Sequence, residues 1–139
     1  AGDSARYDNF DLVDATLDGD AARAVRILRG LEREGVFPLV VTGTLAWQIR
    51  SMVEFAEATS RGESVERAIG RNPAWTRRRA GVARSLERHP LRFWREALGV
   101  LRHIDALAKG SGTGDAWEEL FKLAVRMAGV ALLPSGRAV

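Results

Sequence analysis

Cysteine is absent from this chain of 139 residues, and histidine is confined to His89 and His103. A disulfide framework, a structural zinc site and thiol catalysis are thereby excluded. No apolar run approaches the roughly 20 residues that a membrane-spanning helix needs. The amino terminus, Ala1-Gly2-Asp3-Ser4, is acidic rather than a basic-then-apolar leader, so the expected location is the cytoplasm. No stretch alternates apolar and polar residues between hairpin turn signals, which leaves helices as the only regular structure.

The hydrophobic content of 46% suits one globular domain with a real core. Apolar residues recur at helical spacing almost throughout, and turn residues divide them into seven helices of an all-α domain. The first spans about Tyr7 to Leu17, before Gly19. Asp20 caps a second that ends at Gly35, and Pro38 opens a third, the longest, which Gly62 closes. Ser64 caps a short fourth through Ile69. A fifth helix is expected from Ala74 to about Arg88, between Pro73 and Pro90, and a sixth from Pro90 to Lys109. Residues 110–114 form a loop, and Asp115 caps a seventh helix that Gly129 ends. Residues 1–129 are read as the domain and 130–139 as a frayed tail.

Charge is segregated along the chain. Residues 1–20 carry six Asp against Arg6 alone, whereas residues 71–102 carry nine Arg against Glu87 and Glu96. A local excess of seven positive charges is what a phosphate-tracking surface or a surface for an acidic partner requires. It also fits an ordinary solvated face, because Arg outnumbers Lys nineteen to two.

Residue patterns for catalysis are missing. Gly110-Ser111-Gly112-Thr113-Gly114 has the amides of an anion cradle, but no strand precedes it, no Gly-Lys-Ser/Thr follows, and Asp115 stands where a phosphate would sit. His103 and Asp105 are two residues apart and lie on different helix faces, while His89 marks a helix boundary. Glu118-Glu119 and Glu54 with Glu57 fit solvated faces. Neither a cofactor nor a catalytic set is expected. Of four tryptophans, Trp47, Trp94 and Trp117 sit on apolar stripes and read as core. Trp75 lies beside Arg77, Arg78 and Arg79, an arrangement that would stack a nucleic-acid base while the guanidinium groups neutralise phosphates; a core plug at a helix end is the competing reading.

An ordered set of junction motifs carries a family resemblance. Phe10-Asp11-Leu12-Val13-Asp14-Ala15 precedes Gly19-Asp20, then come Arg23-Ala24-Val25-Arg26-Ile27-Leu28, Leu31 and Glu34-Gly35. Leu45-Ala46-Trp47-Gln48-Ile49-Arg50, the segment from Trp75 to Arg79, Asp105 with Lys109-Gly110, and Trp117 with Leu120 continue it. Over about residues 7–129 the chain resembles the carboxy-terminal domain of the delta subunit of bacterial DNA polymerase III, part of the sliding-clamp loader. The resemblance implies a helical, non-catalytic collar domain from a longer subunit. Its partners would be the delta-prime and gamma/tau subunits, with primer-template DNA beneath the collar and the sliding clamp reached through amino-terminal domains. It also implies DNA proximity for Trp75 and for the loop after Lys109. Relatives place an aromatic in that loop, where this chain has Ser111, Gly112 and Thr113, so the implied contacts are Trp75, Arg77, Arg78, Arg79 and Lys109. The alternative is a free-standing nucleic-acid-binding module that uses the Arg-rich helix 74–88.

Overall fold

Short polar side chains begin most of the helices, by accepting the backbone N–H groups that a first turn leaves without partners. The computed structural model describes residues 7–131. Asp8 accepts from the Phe10 amide at 3.0 Å, and Asp11 accepts in return from the Asp8 amide at 2.9 Å, a reciprocal cap that opens α1 (Asn9–Asp18). Asp20 accepts from the Arg23 amide and opens α2 (Ala21–Arg33), and Pro38 is the first residue of α3 (Pro38–Ser60). Ser64 caps α4 (Val65–Gly70) through the Arg67 amide. Beyond α5 (Arg79–Arg88) and α6 (Leu91–Ala108), Asp115 caps α7 (Ala116–Met127) through the Trp117 amide. The described residues contain seven α-helices and no strand, the all-α class read from the sequence. None of these helices is long and apolar enough to cross a membrane. The tail expected at 130–139 lies, beyond Ala131, outside the described residues.

One element differs from expectation. The helix expected from Ala74 to Arg88 is divided: Pro73–Arg78 is a 3-10 turn, and α5 starts only at Arg79. In a 3-10 turn residues i and i+3 eclipse, so Trp75 and Arg78 stand on one line and face the same side. Trp75 fills the core there, and Arg78 follows it down to the rim.

Helix α3 is the platform. Its most extensive packing is with α6, and the two run antiparallel, with Glu57 near the end of α3 paired to Arg95 near the start of α6 at 2.9 Å. On its other side lies α1, whose Leu12, Val13, Ala15 and Leu17 are buried against α2, α3, α5 and α7. Gly81 lets α5 come close, since a Cβ at that position would lie 3.0 Å from Leu17 Cβ. The aromatic residues lock the layers. Trp75 stacks on Trp47 with ring centroids 4.3 Å apart, Phe55 meets Trp75 edge-on, and Phe10 meets Trp47 edge-on.

The carboxy-terminal ends of α1 and α7 converge on one side chain. The Arg88 guanidinium donates to the carbonyls of Thr16 at 3.2 Å, Leu17 at 3.1 Å and Met127 at 3.4 Å. Its charge also complements the negative ends of both helices. Gly19 and Gly129 leave room for it: both have positive φ, and a Cβ on either would lie 2.8 Å from an Arg88 atom. His89 continues the seal, its Nε2–H donating to the Met127 carbonyl at 2.8 Å. Burial holds the His89 imidazole below its ordinary pKa of 6.5, against the opposing pull of that carbonyl.

Three outcomes follow from this packing. Trp75→Ala should cost about 3–5 kcal/mol in urea denaturation, the usual loss for a buried aromatic. Arg88→Met should cost about 2–3 kcal/mol, because carbonyls lose a charged donor. His89 titrates with a depressed folded pKa, so protons favour the unfolded chain. Its contribution is complete above 6.5 and is lost as the pH falls from there through the folded value. In His89→Gln this part of the acid-side decline in stability should disappear from a series of denaturation curves recorded at stepped pH.

Candidate functional site

The arginine-rich segment is largely consumed within the fold. Arg78 Nε donates to Asp14 at 2.6 Å and its guanidinium lies 5.6 Å from the centre of the Phe10 ring. Arg84 pairs with Asp18 at 2.6 Å, Arg71 with Glu63, and Arg95 with Glu57, while Arg88 holds helix carbonyls. The pair with Arg71 keeps the Glu63 carboxyl below the usual carboxylate range. Acidic α1 is thus the partner of the basic segment: packing brings Asp14 and Asp18, some 65 residues away in sequence, onto Arg78 and Arg84. Two of the opposite charges that the sequence keeps apart are paired on each side, Asp14 with Arg78 and Asp18 with Arg84.

Of the five residues expected to meet DNA, Trp75 is corrected by the structure. Its side chain is 0% exposed, with Trp47 on one ring face and Phe55 at its edge, so neither is open to a base. Of the three tryptophans read as core, Trp94 is fully buried, whereas Trp47 and Trp117 are only half-buried. Trp75 lies in the 3-10 turn that replaces the start of the expected helix, with its ring packed into the core against Trp47 and Phe55. Arg78 is half-buried and paired. Arg77 and Arg79 point outward and have no ion-pair partner among the described residues. Lys109 belongs to another element, just past the end of α6, where it is exposed and pairs with Asp105 at 2.9 Å.

A second surface was not anticipated from the sequence. Around the start of α3, Phe37 is 75% exposed, Val40 47% and Leu39 39%. Leu39 also begins a groove of about 630 Å³ along the outer seam of α3 and α6. Its α3 side continues through Thr42, Gly43, Ala46 and Arg50, and its α6 side is built by Leu98, Leu101, Arg102 and Asp105. The signal was present in the run Val36-Phe37-Pro38-Leu39-Val40-Val41, which is too continuously apolar for one buried stripe of a helix. Among the described residues no three His, Cys, Asp or Glu side chains gather as a metal site would require.

Comparison with known proteins gives these surfaces a context. The family model described as "Processivity clamp loader gamma complex DNA pol III C-term" matches residues 9–134, which takes in every helix. DNA polymerase III subunit delta of Haemophilus influenzae is 28% identical over 132 residues, covering 89% of this chain and 38% of that protein. The subunit of the same name from Escherichia coli K12 is 26% identical over 118 residues, covering 85% of this chain and 34% of that protein. The chain spans little more than a third of the length of these relatives. With seven helices inside one match and a subunit of one name behind both relatives, the chain belongs to the family of clamp-loader DNA polymerase III carboxy-terminal domains, a non-catalytic structural domain.

Proposed function

We propose that this domain is the collar piece of a delta subunit, holding it to the delta-prime and gamma/tau subunits of a clamp loader. The observation that carries this reading is the apolar surface at Phe37, Leu39 and Val40, which nothing among the described residues covers. Exposed apolar residues gathered on one helical turn favour a protein partner over water. The sliding clamp would be engaged by the remainder of the longer parent subunit, and primed DNA would pass beneath the collar.

Arg77, Arg79 and Lys109 are the proposed phosphate contacts. Trp75 has no part in them. The reading of 74–88 as a free-standing nucleic-acid-binding module draws less support, because Arg78, Arg84 and Arg88 are already committed to Asp14, Asp18 and helix carbonyls. A module built on that segment would keep only its outward pair.

Two measurements check this. In the full-length delta subunit, Phe37→Asp with Val40→Asp should weaken association with delta-prime and gamma/tau at least about tenfold, equivalent to roughly 1.4 kcal/mol, with an unchanged circular-dichroism spectrum. Unaltered assembly would remove the apolar turn from the interface. Arg77→Ala with Arg79→Ala should lower the salt dependence of primed-DNA binding by the assembled loader, the log–log slope falling by roughly 0.7–0.9 for each phosphate no longer neutralised. An unchanged slope would leave these arginines facing solvent only.

A further inference from the structure

The groove between α3 and α6 has the form of a seat for a third helix. Residues 39, 43, 46 and 50 of α3 follow the spacing of one helical face, as do 98, 101, 102 and 105 of α6, so the two stripes border a straight trough. From Leu39 to Arg50 the trough runs about 16 Å, roughly three helical turns. Leucines form its walls, and Gly43 and Ala46 keep its α3 side low. The hydroxyl of Thr42 spends its proton on the Pro38 carbonyl at 2.8 Å, which leaves it able only to accept from an occupant.

Three charges line the trough, and the one carboxylate among them, Asp105, is already paired with Lys109 at 2.9 Å. Arg50 and Arg102 flank the trough from opposite helices, and neither has an ion-pair partner among the described residues. Gly43 adds an independent oddity. A glycine inside a helix destabilises it relative to alanine; packing explains the choice at Gly30, covered by Tyr7, and at Gly81, abutted by Leu17, but not at Gly43, nor at Gly70 and Gly99. A Cβ at Gly43 would meet nothing within 4 Å.

We propose that this groove receives an amphipathic α-helix of another protein chain, one that lays small and aliphatic residues along the trough and presents one or more carboxylates to Arg50 and Arg102. The glycine lets the backbone of that helix approach α3 closely. A nucleic acid fits the trough poorly, since two guanidinium groups beside leucines and the Asp105 carboxylate do not follow a phosphate backbone. The inference rests on the assembly reading above and adds to it the place and chemistry of the contact.

The test uses the full-length delta subunit, with purified delta-prime and gamma/tau as probes. Gly43→Ala should raise the urea midpoint of the free subunit, because it improves the helix and meets no obstacle. Gly43→Leu should leave the subunit folded yet weaken association at least about tenfold, since its side chain fills the trough. Arg50→Glu with Arg102→Glu should weaken association by a similar factor, while conservative Arg50→Lys with Arg102→Lys should retain most of it. Normal association in both Gly43→Leu and the double Glu variant overturns the proposal. If Phe37→Asp with Val40→Asp still disrupts assembly in that case, the collar reading survives alone. Failure of the wild-type subunits to associate overturns both. Loss of primed-DNA binding by the double Glu variant with association intact also overturns it, in favour of a phosphate contact.

Discussion

Two helix ends with carbonyls pointing into the protein must find donors, and Arg88 supplies them from a single side chain. α1 and α7 terminate beside each other at Gly19 and Gly129, and one guanidinium reaches Thr16, Leu17 and Met127. Burial disfavours its charged form, and the resulting fall in its pKa from the ordinary arginine value is tolerated because so many acceptors surround it. The arrangement requires glycine at both turns, since a Cβ at either would collide with Arg88. The first and last helices are tied in this way to the end of α5, and through α1 to the core.

That constraint explains what the basic segment is for. An arginine-rich stretch beside an aromatic invites a nucleic-acid reading, yet three arginines of α5 and the preceding turn serve α1. Arg78 and Arg84 bind its outward aspartates and Arg88 its final carbonyls. Surface ion pairs of this kind contribute little individually. They span α5, its preceding turn and α1 beside the close approach at Gly81. Arg77, Arg79, Arg92 and Arg102 of the basic stretch stay exposed without an ion-pair partner among the described residues, and a separate apolar surface lies where α3 begins.

The helical domain was legible because its signals are local. Asp20, Ser64 and Asp115 act on amides two or three residues away, and glycines at 19, 35, 62, 110 and 129 take up positive φ within a residue or two of a helix end; the cap at Asp8, which starts α1 two residues later than expected, was not read. The family resemblance was legible for a related reason, since its motifs are those same junctions in order. Trp75 was not. Its neighbours in sequence are Ala74, Thr76 and the arginines, whereas its neighbours in space are Trp47 and Phe55. The groove was hidden likewise, because each of its walls reads as an ordinary helix stripe until α3 and α6 lie side by side.

By itself the sequence determined that the chain is helical, where most helices start and stop, and that the residues of a thiol or zinc centre are lacking. These follow from propensity, capping and composition, which act over a few residues. Only the tertiary structure decided which tryptophans are fully core, which arginines remain free for a partner, and where an apolar trough stays open. Those outcomes depend on contacts between residues far apart in the chain, such as Trp47 with Trp75 and Asp14 with Arg78. A local pattern carries no record of such distances.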